Sequence, residues 1–206
     1  MPDRPKAPPR AWQRMLSGRR LDLVDPSPLD IEIEDIAHGL ARVARWNGQT
    51  VGAHAFSVAQ HTMLVDRILR ITNPDLGARD RLAVMLHDAP EYVIGDLISP
   101  FKILLGDEYR EIEARLLAAI HRRFGLKYPV AARLKARIKS GDRSAAYFEA
   151  TALAGFEEAE AVKFFGHPRG IDRSELDLKP WPAAEAEKRF LRHFSALLAE
   201  AGDRPA

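Results

Sequence analysis

The chain has 206 residues, of which 46% are hydrophobic and 29% are charged, a length and composition that predict one globular domain. Its 31 Lys and Arg against 29 Asp and Glu give a formal net charge of +2, too small to indicate a protein that coats a nucleic-acid polymer. Because cysteine is absent, disulfides, thiolate metal sites and a cysteine nucleophile are excluded, and any metal ion must be held by His and carboxylate groups.

The start of the chain is basic and rich in proline, and it lacks the apolar stretch of a secretory signal. No apolar run approaches the roughly 20 residues of a membrane span. We therefore expect a cytoplasmic protein with no membrane partner, and frayed termini over residues 1–10 and 202–206.

Apolar residues recur at helical spacing along most of the chain, as in Ile33, Ile36, Leu40 and Val43. Pro and Gly separate the periodic segments, and no alternating pattern of a strand is apparent. The fold class predicted is all-α, a single-domain helical bundle over residues 1–206 with its core at about 30–160. Helices are predicted at about residues 30–44, 55–71, 78–92, 108–124, 129–153, 155–165 and 183–201.

Three polar features lie within these predicted helices: a mid-helix His61, the adjacent pair His87 and Asp88, and a later Asp142. Each alone is more often a structural residue. Together they supply the imidazole nitrogens and carboxylate oxygens that hold a divalent cation in the absence of thiolates. In a helix, Glu91 would stand on the same side as the His-Asp pair, so it could reach a metal-bound water without being a ligand.

The stretch at residues 87–102, His-Asp-Ala-Pro-Glu-Tyr-Val-Ile-Gly-Asp-Leu-Ile-Ser-Pro-Phe-Lys, resembles the HD-domain phosphohydrolases, and most closely their bacterial 5'-deoxynucleotidase branch. The resemblance includes Ser-Val-Ala-Gln-His at 57–61 and Ser-Gly-Asp-Arg-Ser-Ala-Ala-Tyr at 140–147, and it covers roughly residues 30–160. It implies an HD-type helical domain with one divalent metal ion, for which Mn, Co, Fe, Ni, Zn and Mg are candidates. The implied ligands are His61, His87, Asp88 and Asp142.

The resemblance also implies roles for residues around the metal. Glu91 and Asp96 match the catalytic acidic positions of the family, where they would orient water and handle protons. Arg45 and Trp46 match a pair that contacts the phosphate and the nucleoside, although a surface arginine beside a core tryptophan explains them equally well. Lys102 would add positive charge near the phosphate if its loop folds over the site, whereas a lone loop lysine is more often solvated.

The remaining histidines are assigned no ligand role. His54 lies two helical turns before His61 and would face the same cavity if the helix extended that far, but a helix cap or an exposed position is the simpler interpretation. Because two-metal members of the superfamily use additional histidines before the final aspartate, and only one lies in that interval here, one metal is expected. Four further histidines have no acidic or histidine partner at ligand spacing. They are predicted to be structural or surface residues: His38, His121, His167 and His193.

The function that the resemblance implies is removal of the 5'-phosphate of (deoxy)nucleoside monophosphates by a metal-activated water. Two alternatives stay open. One is the same chemistry on a nucleoside triphosphate, a cyclic nucleotide or an alarmone, and the other is a non-catalytic sensor of metal and nucleotide. The expected partner is a small phosphorylated molecule rather than a nucleic-acid polymer. A homodimer through the apolar stripe of the C-terminal helix, around Phe190 and Phe194, is a further candidate, but that stripe can equally be core.

Overall fold

The structure, a computed structural model, describes residues 11–202. It is mostly helical, which confirms the all-α prediction. The predicted frayed segments lie outside the described residues, except for Gly202. The α-helices are α1 (Ile33–Leu40), α2 (Val58–Thr72), α3 (Ala78–Met85), α4 (Glu91–Ile94), α5 (Ser99–Arg123), α6 (Ala132–Ala152), α7 (Glu158–Phe165) and α8 (Ala183–Glu200), and short 3-10 turns lie at Pro28–Asp30, Arg45–Gly48 and Arg173–Glu175.

A short antiparallel hairpin precedes the helices. Strand β1 (Trp12–Arg14) pairs with β2 (Arg20–Asp22), and the connecting turn contains Gly18 at φ 89, a backbone conformation that glycine adopts without strain. Only Leu21 of these strand residues is buried, so the strands are too short to show an alternating pattern. The prediction that the chain contains no strand is therefore wrong.

The helix predicted at 78–92 is instead two helices joined by a turn. Helix α3 ends at Met85 and α4 begins at Glu91, and the intervening N–H groups of His87 and Ala89 donate to carbonyls three residues back. Pro90 lacks an N–H and disfavours a helical conformation for the residue before it. The His-Asp pair consequently lies in a tight turn rather than inside a helix.

Other predicted helices are present with shifted bounds. The first is shorter than predicted, since α1 covers only Ile33–Leu40 and the chain then turns. The fourth begins earlier than predicted, at Ser99, and is interrupted at Gly106, whose φ is 71. Both shifts fall where turn signals and apolar periodicity overlap in the sequence.

The buried apolar side chains form two clusters, and α2 contributes to both. One includes Leu40, Leu82 and Phe190, from α1, α3 and α8. The other includes Ile68 and Phe148, from α2 and α6. Helix α2 is therefore the element against which the two halves of the core pack.

The apolar stripe of the C-terminal helix belongs to this core. Phe190 is fully buried and Phe194 is 1% exposed, both within the single chain. The stripe thus lends no support to a homodimer. Among the described residues, no helix is both long enough and apolar enough to cross a membrane.

Candidate metal centre

His61 is fixed in the first turn of α2. Ser57 caps this helix, because its hydroxyl accepts a hydrogen bond from the Gln60 N–H at 3.2 Å. The His61 N–H donates to the Ser57 carbonyl at 2.9 Å, and the imidazole is fully buried. The ring therefore points into the protein from a well-anchored position.

The turn after α3 brings His87 and Asp88 next to this imidazole. The Nδ1–H of His87 donates to the Val84 carbonyl at 2.7 Å, which leaves Nε2 to face the site. One Asp88 carboxylate oxygen lies 3.2 Å from this Nε2 and 3.5 Å from Nε2 of His61. The three side chains offer ligand atoms within 4.8 Å of one another, so this group can hold a metal ion.

Asp142 approaches the same point from α6. At the preceding residue, Gly141, the two helices come so close that an added Cβ would lie 2.8 Å from Leu69 Cγ on α2. This close approach brings Asp142 Oδ1 to 3.2 Å from Nε2 of His61. Asp142 is not part of the compact group of three, but it faces the same imidazole nitrogen.

The polar atoms of this cluster are arranged as ligands for a cation rather than as hydrogen-bond partners for one another. Nε2 of His61 and Nε2 of His87 are both buried and make no hydrogen bond among the described residues. A buried polar atom without a partner costs free energy. Two imidazole nitrogens beside carboxylates are the donor set that a divalent transition metal prefers in a protein without cysteine.

Glu149 is the residue of the site that the sequence reasoning missed. It is fully buried on α6, and one carboxylate oxygen accepts the Nδ1–H of His61 at 2.5 Å while the other accepts the Trp46 indole N–H at 2.9 Å. A carboxylate on the second nitrogen of a metal-binding histidine fixes the tautomer and the ring orientation. Its only sequence signal is the spacing of seven residues from Asp142, two turns along one helix face.

Arg45 lies inside the site, so the surface alternative is wrong for it. Its side chain is 14% exposed, with Nη1 at 3.1 Å from Asp96 and Nε at 3.4 Å from Glu149. Trp46 lies beside it, and its ring packs against Phe156 and Phe165 with centroids 5.6 and 5.8 Å away. The indole thus combines a place at the edge of the core with a hydrogen bond to the site.

Glu91, Asp96 and Lys102 lie on α4, on the segment between α4 and α5, and on α5, respectively. Glu91 is 2% exposed at the start of α4, and its second oxygen, Oε2, has no hydrogen-bond partner among the described residues. The Lys102 ammonium lies 3.3 Å from Oε1 of Glu91 and 3.4 Å from Glu113. Lys102 is therefore paired with Glu91 of the site and with Glu113 outside it, so the solvated alternative does not describe it.

The crowded carboxylates shift one another's ionisation. Burial raises the pKa of Glu91, and the negative charges of Asp88 and Asp96 raise it further, to about 9. Burial also favours the neutral form of Asp88, but contact with His87 and the nearby His61 holds its pKa below the usual range. One carboxylate is thus held neutral and its neighbour is held ionised.

His61 responds to the same excess of negative charge. Burial lowers its pKa and Arg45 lowers it further, yet Glu149 and Asp142 outweigh both and raise the pKa to about 10. For Glu149, burial favours the neutral form and raises the pKa. The positive charges of His61 and Arg45 outweigh burial and lower this pKa to about 2. The carboxylates around His61 therefore stabilise a positive charge beside its imidazole ring. A bound cation can supply that charge in place of a proton.

The other histidines lie away from this cluster. His54 is exposed in the loop before α2, His121 is 1% exposed with Nδ1 at 3.1 Å from the Lys127 carbonyl, and the ring of His167 stacks on Tyr147. Two of them have acidic partners that the sequence did not indicate. These pairs are His38 with Glu187 at 3.3 Å, and His193 with Asp66 at 2.8 Å.

Comparison with known proteins gives relatives but no activity. No family model matches the chain. The chain is 53% identical over 189 residues to an uncharacterized protein of Rhodobacter capsulatus, a match that covers 92% of this chain and 96% of that protein. The chain belongs to the family of that protein. It is also 36% identical over 97 residues to the uncharacterized protein YfdR of Escherichia coli K12. This match covers 47% of the chain and 49% of YfdR.

Proposed function

We propose that this chain is a metal-dependent phosphohydrolase of the HD-domain type that removes the 5'-phosphate of (deoxy)nucleoside monophosphates. The observation that supports it most is the pair of buried imidazole nitrogens, on His61 and His87, that have no hydrogen-bond partner in the described part of the chain and lie beside the carboxylate of Asp88. The motif at residues 87–102 adds the resemblance to 5'-deoxynucleotidases. A site with these ligands and a nearby buried guanidinium suits an anionic substrate.

Four residues would hold one divalent cation in this proposal: His61, His87, Asp88 and Asp142. When bound there, the ion would lower the pKa of a water ligand and polarise a phosphate oxygen. Glu149 keeps Nδ1 of His61 occupied as a donor, so Nε2 remains the coordinating nitrogen. Asp142 then depends on the close helix contact at Gly141 for its position.

Arg45 is our candidate for holding the phosphate. Asp96 and Glu149 fix its guanidinium through Nη1 and Nε, and its other N–H groups can donate to phosphate oxygens. Trp46 donates its indole N–H to the same Glu149. Its proposed role is to position this carboxylate and, through it, Arg45.

Hydrolysis needs a proton to leave the attacking water and a proton to reach the 5'-oxygen of the departing nucleoside. Glu91 can serve at one of these points. Its Oε2 is buried and has no hydrogen-bond partner within the described ranges, and its other oxygen contacts Lys102. Asp96 is held by Arg45 close to the proposed phosphate position. We assign the orientation of water and the transfer of protons to these two carboxylates.

The test is phosphate release from a panel of deoxynucleoside and ribonucleoside 5'-monophosphates, with triphosphates, a cyclic nucleotide and an alarmone as further substrates. Metal-stripped protein is resupplied with Mn, Co, Zn or Mg. The expected result is metal-dependent release that is fastest from 5'-monophosphates. Preference for another member of the panel would assign the same chemistry to that substrate.

Two variants make this test specific. Glu91→Gln removes the carboxylate beside the site, and Glu113→Gln removes the other carboxylate that contacts Lys102 but is 32% exposed. Release should be lost in the first and retained in the second. Absence of release from every substrate, with one metal ion bound per chain, would contradict the enzyme and favour the sensor.

A further inference from the structure

A groove lies on the face of α2 opposite to His61, between α2 and α8. Successive residues of an α-helix are rotated by about 100°, so Asp66, Arg67 and Arg70 point away from the candidate metal centre. The groove has a volume of about 470 Å³, within the roughly 300–1,000 Å³ of small-molecule sites. We call it the arginine groove, lined by Met63, Asp66, Arg67, Arg70, Trp181, Arg189, Arg192, His193 and Ala196.

Four arginines converge on this groove in two facing pairs. Arg67 and Arg70 are one turn apart on α2, and Arg189 and Arg192 are one turn apart on α8. One member of each pair has a carboxylate partner: Arg67 with Glu175 at 2.8 Å, and Arg189 with Glu185 at 2.6 Å. Arg70 and Arg192 are exposed and form no ion pair among the described residues. Each wall therefore contributes one guanidinium that forms no ion pair with a carboxylate of the described residues.

The floor of the groove does not cancel this charge. Asp66 is 1% exposed, and its two oxygens accept the Arg81 guanidinium at 2.9 and 2.7 Å, so the negative charge is already neutralised from below. The same carboxylate lies 2.8 Å from Nε2 of His193 and fixes that imidazole in the wall. The groove thus has a rigid base and a net positive rim.

The end of the groove at Trp181 is also held in place. The backbone N–H of Trp181 donates to the Gln60 side-chain carbonyl at 3.1 Å. The Arg189 guanidinium lies 4.2 Å from the centre of the Trp181 indole ring. Stacking on the indole holds a guanidinium plane in one orientation. Arg189, whose Nη1 also lies 3.7 Å from Asp177, is therefore held in one orientation at this end of the groove.

We propose that the arginine groove binds a small ligand that carries two or more linked phosphate groups. Guanidinium forks match phosphate oxygens in charge and geometry, and two forks on opposite walls, neither in an ion pair among the described residues, match more than one phosphate. The volume suits a small molecule rather than a nucleic-acid polymer, for which a longer basic stripe is expected. The inference goes beyond the proposed hydrolysis and does not depend on it.

Calorimetric titration of the full chain with inorganic tripolyphosphate, in EDTA, tests the proposal without a metal-bound site. Binding at one site per chain is expected. The paired change Arg70→Ser and Arg192→Ser should weaken it by roughly tenfold or more, because two charge-assisted contacts are lost. The matched control changes Arg122 and Arg133, two exposed arginines outside the groove, to Ser and should leave the affinity within about twofold.

Further titrants define the ligand. Orthophosphate should bind more weakly than tripolyphosphate, since it offers less negative charge and fewer oxygens to the guanidinium groups. A nucleoside triphosphate that binds more tightly than tripolyphosphate would identify a nucleotide as the natural class, and equal binding would assign recognition to the phosphate chain alone.

Three results would overturn the proposal: no binding of tripolyphosphate, equal weakening in the control, or undiminished affinity in the Arg70 and Arg192 variant. Binding of a short oligonucleotide in place of tripolyphosphate would also overturn it. Circular dichroism of both variants verifies that they are folded, so a lost affinity can be read as a lost contact.

Discussion

Helix α2 carries a histidine–carboxylate cluster on each of two faces, and the two clusters differ in how well their polar atoms are paired. On one face, both oxygens of Asp66 accept hydrogen bonds from Arg81, and one also contacts His193. On the other face, His61 lies 3.5 Å from Asp88 and 3.2 Å from Asp142, yet its Nε2 makes no hydrogen bond to any residue that the structure describes. Asp66 and His61 are both buried, so the burial of the central residue does not distinguish the two clusters.

The difference lies in the balance of charge. Asp66 is one carboxylate facing a guanidinium and an imidazole, which is a self-sufficient ion-pair cluster. The candidate metal centre gathers more negative than positive side chains around its two imidazole nitrogens. Asp88, Asp96, Asp142 and Glu149 face Arg45 and Lys102, while Glu91 is held neutral. A buried histidine beside an aspartate therefore indicates a metal site only when nitrogens stay unpaired and negative charge is in excess.

The largest expected effect is on the metal-centre side. Asp88→Asn should reduce kcat/KM for phosphate release by at least about 1,000-fold, because several kcal/mol of metal-derived stabilisation of the transition state are lost. The measurement is phosphate release in saturating Mn²⁺. Asp107→Asn, at a carboxylate that is 88% exposed, is the control and should keep full activity. Near-normal release from Asp88→Asn would remove this residue from the mechanism.

On the opposite face, Asp66→Asn should act on stability alone. The free energy of unfolding should fall by roughly 3 kcal/mol, since the Arg81 guanidinium, 11% exposed, loses its buried partner. Urea denaturation measures the change. Asp75→Asn breaks the more exposed pair with Arg137 and should lower the free energy of unfolding far less, because exposed ion pairs contribute little to stability. Equal costs would show that the buried cluster is not the stronger one.

Glu149→Gln should weaken metal binding without abolishing it. The metal dissociation constant should rise by roughly 10–100-fold, because the amide orients the Nδ1–H of His61 less strongly than the carboxylate does. Competition against a chelator of known affinity measures it. Glu187→Gln, at the carboxylate that contacts His38 away from the site, is the matched control. An unchanged constant in Glu149→Gln would make this carboxylate a purely structural residue.

Gly141→Ala should produce a smaller change that reaches both stability and the site. The new Cβ would lie 2.8 Å from Leu69 Cγ, and such overpacking costs about 1–2 kcal/mol. Helix α6 would shift from α2 and carry Asp142 with it, so metal affinity should fall as well. Ser140→Ala, at the exposed neighbour, should change neither. A loss of stability with unchanged metal affinity would show that Asp142 is not a metal ligand.

The smallest effect is a dependence on pH. Burial favours neutral Asp66, but His193 and Arg81 hold its pKa below the ordinary 3.8. Its stabilisation is therefore present above 3.8 and is lost as the pH falls through the lower, folded-state pKa. The gap in unfolding free energy between the parent protein and Asp66→Asn should narrow from about pH 6 to about pH 3. A gap that widens on acidification would contradict this sign.

The helical spacing of apolar residues predicted most of the helices, because these residues form the face of each helix that is buried in the core. The same patterns failed at the turn that carries His87 and Asp88, where Pro90 interrupts an otherwise helical run. The hairpin was missed because only Leu21 of its strand residues is buried. Each failure is local, and each lies where a short turn or strand overrides the longer pattern.

Tertiary contacts were beyond the reach of those patterns. Glu149 meets His61 across 88 residues of chain, and nothing in its own neighbourhood marks it apart from other helical glutamates. The facing arginines of the groove on α2 and α8 are likewise separated by more than half of the chain. The roles predicted for Arg45, Trp46 and Asp96 came from a family resemblance, because nothing in the local sequence pattern indicates them.

The most direct test is calorimetric titration of metal-stripped protein with Mn²⁺, in the parent protein, Asp88→Asn and Asp66→Asn. We predict one ion per chain in the parent and in Asp66→Asn, and none in Asp88→Asn. Equal binding by all three variants, or no binding by the parent protein, would contradict a metal centre at the unpaired imidazoles of His61 and His87.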